Sequence, residues 1–156
     1  MKNKRIVITF PIEPVAQARP RATVIQARNS RSRTVRLYDP AATKTFKQQI
    51  GNYAKKHMRK NELEPIGEPL KLTLVFYRPL TKALSGNKNK RIRAISGEVV
   101  PATKPDTSNY LKSFEDGLNG IVWHDDAAIT DITVSKRYGD PARIEMIAEP
   151  TEKAVR

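Results

Sequence analysis

The chain has 156 residues, a length that fits one domain with a core of its own. Lys and Arg number 29 against 16 Asp and Glu, a formal net charge of +13, so the folded surface carries a positive field suited to a polyanion such as nucleic acid. Cysteine is absent, which excludes disulfides, thiolate zinc sites and a cysteine nucleophile, and no glycine-rich phosphate loop is present to hold a nucleotide cofactor.

The apolar run Ile6-Val7-Ile8-Thr9-Phe10 stops at Pro11. It is too short for a secretory signal or a membrane span, so a cytoplasmic protein with no membrane partner is expected. Its β-branched content makes Arg5 to Phe10 a strand. A proline-rich loop follows, after which Thr23 to Gln26 and Thr34 to Tyr38 read as two arms of a ribbon around the polar tip Asn29-Ser30-Arg31-Ser32. From Pro40 to about Lys60, Ala42, Phe46, Ile50, Tyr53 and His57 recur at helical spacing, with Lys44, Lys47, Lys55 and Arg59 off that stripe. Gly51 inside this long helix predicts a bend or fraying, and His57 on the stripe reads as packed rather than ligating.

Leu70 to Tyr77 has the apolar, β-branched character of a central strand, ended by Pro79. Thr81 to Gly97 sets Lys82, Lys88, Lys90, Arg91 and Arg93 among Ser, Asn and Gly and is expected to be a mobile loop. Ala128 to Tyr138 and Arg143 to Ala148 read as strands joined in a hairpin by Gly139-Asp140-Pro141, with a frayed tail over 151–156 after a domain spanning 1–150. Strands and helices interleave without a regular alternation. The fold class this predicts is α+β: a single domain with a mixed β-sheet and two main helices packed on it.

The densest chemistry lies in Lys104 to Asp126, KPDTSNYLKSFEDGLNGIVWHDD. Thr107 to Leu118 is predicted as a helix roughly 18 Å long, stopped by Asn119-Gly120. If the six residues Ile121 to Asp126 run back extended they cover roughly 20 Å, which would bring Asp125 and Asp126 beside Asp106. Carboxylates gathered there among cations point to a hard metal ion held against a phosphate backbone. Tyr110, Leu111, Phe114 and Leu118 form the apolar stripe, and Ser108, Lys112 and Glu115 share another face, from which Lys112 reaches a phosphate. The bland readings are concrete: Asp106 as an N-cap, Lys112 as a solvated lysine, Asp125-Asp126 as a turn, Trp123 as core. His124 is a candidate base on the attacking water, weighed against a solvent-facing or DNA-touching histidine.

The string Lys104-Pro105-Asp106-Thr107-Ser108-Asn109-Tyr110-Leu111-Lys112, followed by Asp116-Gly117-Leu118-Asn119-Gly120 and Asp125-Asp126, resembles the RusA family of Holliday-junction resolvases, whose signature is close to KPDxDNxxKxxxDxLNG and then DD. Ala18-Arg19-Pro20-Arg21 is similar to the family's GRPR, and Lys136-Arg137-Tyr138 to its basic strand. The resemblance implies a small homodimeric endonuclease that uses Mg²⁺, with Mn²⁺ as a substitute, and nicks branched DNA at four-way junctions in recombination, repair or phage DNA processing. It implies Asp106 and Asp126 as metal-binding, catalytic carboxylates, Asp125 as a secondary acidic member and Lys112 as an essential basic residue. Ser108 stands where the family has a second Asp; its hydroxyl would touch a metal-bound water or a phosphate.

The DNA-binding surface is expected from Arg19 and Arg21, from Arg28, Arg31, Arg33 and Arg36 of the ribbon, from the Lys82 to Arg93 segment, and from Lys104, Lys136 and Arg137. Such residues track phosphates, so recognition of branched shape is expected rather than of sequence. Two symmetric nicks call for a two-fold dimer. Two other classes remain open at this point: a protein that binds branched DNA without cutting it, in which the aspartates brace a helix, and an RNA- or ribosome-associated basic protein.

Overall fold

The strands anticipated at the two ends of the chain meet in one sheet. The computed structural model describes residues 5–152. In chain order these are β1 (Ile6–Phe10), β2 (Arg21–Gln26), β3 (Arg33–Tyr38), α1 (Ala41–Lys60), β4 (Leu70–Arg78), α2 (Lys82–Ser85), α3 (Lys88–Ile95), α4 (Thr107–Leu118), β5 (Ile129–Tyr138) and β6 (Arg143–Pro150). The main sheet runs β1-β6-β4-β5, with β4 parallel to β5 and antiparallel to β6. This is the mixed α+β arrangement expected, with β4 central.

Alternation along the strands creates the core. Leu70, Leu72, Leu74 and Phe76 of β4, Ile144, Met146 and Ala148 of β6, and Ile6, Ile8 and Phe10 of β1 all face the helices and are buried. Each such aliphatic side chain contributes about 1.5–3 kcal/mol on burial. From above, α1 supplies Phe46, Ile50, Ala54 and Met58, and α4 supplies Tyr110, Phe114 and Leu118. Phe114 joins the two layers edge-on, its ring centroid 5.4 Å from Phe10 and 5.7 Å from Phe76.

Four expectations need correction. Gly51 does not fray α1, which runs unbroken; it serves the crossing of α1 over α4, where a Cβ at Gly51 would lie 3.1 Å from the Gly117 carbonyl oxygen and one at Gly117 only 2.5 Å from Ile50 Cδ1. The buried stripe of α1 is also rotated from the one expected, because Thr43 and Ala54 are buried whereas Ala42 is exposed and Tyr53 reaches the core only through its ring contact with Phe10.

Residues 81–97 are not a loop without structure. Thr81 and Asn87 accept hydrogen bonds from Leu84 N–H and Lys90 N–H, capping α2 and α3, while Arg91 binds Asp140 at 2.7 Å and Ala94 is buried. Polar composition concealed two N-caps. Gly139-Asp140-Pro141 does not close a hairpin either: β4 lies between β5 and β6, and the connection passes over its end. Gly139 N–H donates to Arg78 O at 2.8 Å, and a Cβ at Gly139 would stand 2.6 Å from Tyr77 Cβ, so only glycine fits this crossing.

The ribbon of β2 and β3 forms as expected and stands apart from the core, every residue of both strands being exposed. Its register puts Ala22, Val24, Val35 and Leu37 on one face and Arg21, Thr23, Arg36 and Tyr38 on the other. Of the expected tail, Thr151 N–H is bonded to Pro69 O at 2.8 Å, and 153–156 lie outside the described residues, as do the first four residues of the chain.

Candidate functional site

The helix α4 separates the candidate acids, and its two ends differ in charge. At its start, Asp106 occupies the N-cap position but makes no side-chain capping bond. The bland reading of Asp106 as a helix cap therefore fails, and its exposed carboxylate is free. The loop that presents it is braced from the sheet: Lys136 Nζ donates to the carbonyls of Thr103 (2.8 Å) and Pro105 (3.0 Å), and Arg78 donates to Thr103 O at 3.2 Å. Lys136, expected at DNA, spends its ammonium on this brace. Arg137, its neighbour on β5, points to the opposite face of the sheet.

A second segment is fastened along α4. Gln17 N–H donates to Asn109 O at 2.9 Å, and Ser113 Oγ donates to Val15 O at 2.5 Å. This lays Arg19 beside the helix. A groove of about 780 Å³ results, lined on one side by Glu13 to Arg19 and on the other by Arg78, Lys104, Asp106 and Asn109. One turn further along α4, Lys112 shares a smaller cavity with Arg19, Pro20 and Asn109. Asp106, Ser108, Lys112, Arg19 and Lys104 are all exposed on this side. A phosphate entering the groove would meet three cations, Arg19, Arg78 and Lys104, and the free N–H groups of the first turn of α4.

The acidic residues of the returning segment lie at the other end. The stretch after α4 does not run back extended; it turns at Gly120, whose N–H donates to Trp123 O at 2.9 Å, and then enters a short 3₁₀ turn at Asp126–Ala128. Asp126 is tied beside the helix terminus by its own N–H bond to Asn119 Oδ1 (3.2 Å) and by Trp123 Nε1, which donates to Asp126 Oδ1 at 2.6 Å. Trp123 is fully buried, so it belongs to the core. Asp125 Oδ1 accepts the Ala127 N–H at 3.2 Å and caps that turn. His124 is exposed, its imidazole lying against Gly67.

Burial raises the pKa of Asp126, opposed by the Trp123 hydrogen bond and reinforced by repulsion from Asp116 and Asp125. Burial likewise raises that of Glu115, with Asp126 and Asp116 adding to it. The last turn of α4 carries no basic residue, so these carboxylates also oppose the helix dipole. Among the described residues the one ion pair in this crowd of carboxylates is Lys47–Asp116, and Asp126 has the Trp123 hydrogen bond besides.

The expected meeting of Asp106 with Asp126 therefore does not occur in one chain. From Asp106 to Asp116 the helix rises about 15 Å. Along the sheet, Lys136 beside Pro105 lies seven residues from Ile129 (136 − 129), roughly 23 Å of strand. Oxygen ligands of one Mg²⁺, each at about 2.1 Å, sit within roughly 4 Å of one another. Asp106 and Asp126 of a single chain do not fit a shared ion, and the described residues hold no group of three His, Asp or Glu arranged for a metal.

Sequence reasoning missed the network that joins the ribbon to α4. Lys47 Nζ of α1 contacts Asp39 Oδ2 at 2.7 Å and Asp116 Oδ2 at 3.2 Å, and Asp39 Oδ1 accepts the Gln17 amide at 3.0 Å. Hydrogen bonds from Lys47 and Gln17 lower the pKa of Asp39. Burial works against the Lys47 ammonium, and its bonds to Asp39 and Asp116 outweigh that and raise its pKa. Asp39 follows β3 at the foot of the ribbon, two residues before α1 begins. The sequence shows Lys47 only as one of several lysines off the apolar stripe; its half-burial appears in the structure. Gln17 Oε1 is a buried acceptor with no partner among the described residues, at the junction of the groove and the Lys112 cavity.

Comparison with known proteins places the chain in a family. The family described as "Endodeoxyribonuclease RusA" matches residues 11–148. The uncharacterized protein YqaN of Bacillus subtilis (strain 168) is 37% identical over 135 residues, covering 86% of this chain and 89% of that protein. The matched span begins after β1 and takes in the groove, α4 and the acidic turn.

Proposed function

The chain belongs to the RusA endodeoxyribonuclease family, and we propose that it is a Mg²⁺-dependent, structure-selective DNA endonuclease that resolves four-way junctions by paired symmetric nicks. The observation that carries this reading is the uncapped Asp106 carboxylate at the lip of a groove lined by Arg19, Arg78 and Lys104. Cations in that number beside one acid suit a backbone phosphate with a water next to it.

Hydrolysis joins a water oxygen to phosphorus and releases a sugar oxygen, and negative charge grows on the phosphoryl oxygens as it proceeds. Arg19 and Lys104 would hold the phosphate in the groove, with the first-turn N–H groups of α4 pointing at it. Asp106 would accept a hydrogen bond from the attacking water and so orient it. Lys112, exposed one turn along, would offset the charge that develops. Ser108 offers a neutral hydroxyl to phosphate or water at the position between them. Arg21 and Arg36 on one face of the ribbon, Arg31 at its tip and Arg33 at the edge of the other face would follow the backbone of a neighbouring arm. No described helix is long and apolar enough to cross a membrane.

The second reading is a protein that binds branched DNA without cutting it, favoured by Ser108 in place of the family's second acid. A labelled four-way junction and a matched linear duplex, each incubated with Mg²⁺ or with EDTA, separate the two. Symmetric nicks confined to the junction, dependent on Mg²⁺ and lost in Asp106→Asn, are expected. Tight junction binding with no cleavage at any metal concentration would establish the second reading.

A further inference from the structure

Gln17 sits where the groove beside α4 meets the smaller cavity that Lys112 lines, and its side chain is satisfied on one side only. The amide nitrogen donates to Ala18 O and to Asp39 Oδ1, each at 3.0 Å. The oxygen, Oε1, is buried and has no partner among the described residues. Turning the amide over gives no relief, because the oxygen would then face a carbonyl and a carboxylate, both acceptors. Those two groups fix the orientation, and a buried oxygen held this way calls for a donor from the cavity side.

Lys112 is the donor that fits. The cavity it shares with Gln17 holds about 270 Å³, ample for an ammonium beside a water of about 30 Å³. Its charge is felt at this spot: hydrogen bonds from Lys47 and Gln17 lower the pKa of Asp39 against the effect of burial, and the charges of Lys47 and Lys112 lower it further. Arg19 lines the same cavity, yet it is not one of the cations acting on Asp39. Asp39 also draws on the Gln17 N–H and thereby makes the amide oxygen a stronger acceptor for a cation. Along its own helix Lys112 could turn to Asp116 at i+4, but Lys47 holds that carboxylate at 3.2 Å. Among the described residues Lys112 is in no ion pair.

We propose that Gln17 is a positioning residue, whose side-chain oxygen accepts a hydrogen bond from the Lys112 ammonium and seats it at the corner between cavity and groove. An ammonium has three donors; one goes to Gln17 and the others remain for a phosphate in the groove. The Gln17 N–H is bonded to Asn109 O at 2.9 Å, which fixes the height of this seat along α4. One segment thus places both Arg19 and Lys112. The catalytic consequence rests on the nuclease reading above, whereas the seat itself does not.

The seat is tested first on the free protein. An amine-reactive ester in trace amount labels each lysine at a rate set by how freely its amine is presented, and mass spectrometry reads those rates residue by residue. Lys112 is expected to react several-fold more slowly than the exposed Lys55 and Lys60, and Gln17→Met is expected to bring it up to their rate while theirs hold. A Lys112 rate that Gln17→Met leaves unchanged overturns the proposal. Should Gln17→Met fail to fold, the NMR signal of the Lys112 ammonium in the wild type decides, assigned by its loss in Lys112→Arg. Slow proton exchange is expected there, and exchange as fast as at Lys55 overturns the proposal.

Catalysis supplies the second readout. In single-turnover cleavage of a bound four-way junction, Gln17→Met and Gln17→Lys are both expected to slow the rate roughly tenfold or more, as befits a hydrogen bond to a charged group, with junction affinity not reduced. Lysine at this position still donates to Asp39 but offers no acceptor. A Gln17→Lys chain that cuts like the wild type overturns the positioning role and leaves Gln17 as a tie to Asp39. A wild type that never cuts refutes the nuclease reading, and the labelling rates still decide the seat.

Discussion

Lys136 was expected to touch DNA and is found bracing Asp106, and the two roles make opposite predictions for Lys136→Met. Methionine keeps the length and apolar stem of the side chain and removes the ammonium. Thr103 O keeps a donor from Arg78 at 3.2 Å, whereas Pro105 O, one residue before Asp106, loses the Lys136 donor at 3.0 Å. A hydrogen bond from a charged group is worth about 1.5–3 kcal/mol. If that energy holds the loop in its competent position, the rate falls roughly 10- to 150-fold, since about 1.4 kcal/mol is a factor of ten. Single-turnover cleavage of a four-way junction measures this, beside junction affinity across a salt series. A brace predicts slower cleavage with affinity and salt dependence unchanged. A phosphate contact predicts weaker binding and a log–log salt slope shallower by about 0.9; that outcome, with the rate of bound junction intact, would refute the argument.

At the crossing of α1 and α4, Gly117→Ala drives a methyl to 2.5 Å from Ile50 Cδ1 and 3.3 Å from Lys47 Cα. Overpacking costs about 1–3 kcal/mol, and the better helix propensity of alanine returns up to about 1 kcal/mol; a thermal melt should fall, by up to roughly 8 °C, and a higher midpoint contradicts the close approach. The Asp39 contact sets an acid limb: its pKa is lowered on folding, so its contribution is present above the ordinary carboxylate value of 3.8 and is lost as pH falls through the folded value. Asp39→Asn should flatten stability against pH in that acid range, as read by urea unfolding at successive pH values. Glu115 has the opposite sign. Its pKa is raised on folding, so the protein loses stability as pH rises from the ordinary value of 4.5 through the folded value. Glu115→Gln should match the parent at pH 3 and exceed it at pH 7 when no divalent ion is present; a variant less stable than its parent at pH 7 would show that Glu115 has a favourable partner.

What was legible in the sequence and what was not divide along the range of the interactions. Elements defined by local hydrophobic periodicity appear where expected: the ribbon, α1, β4 and α4. The role of Gly51 was not legible, because its reason lies on another helix, at the Gly117 carbonyl. The supposed hairpin at Gly139 failed because β4, more than sixty residues earlier in the chain, takes the place between β5 and β6. The same limit governs the site. The string from Lys104 to Asp126 is continuous in sequence, and continuity suggests one cluster. Yet its helix is a rigid spacer of about 18 Å, the turn at Gly120 is too tight to retrace it, and β5 then carries the chain away from Asp126 before Lys136 reaches Pro105. A motif whose acids sit at both ends of a rigid spacer cannot bring them together by folding alone.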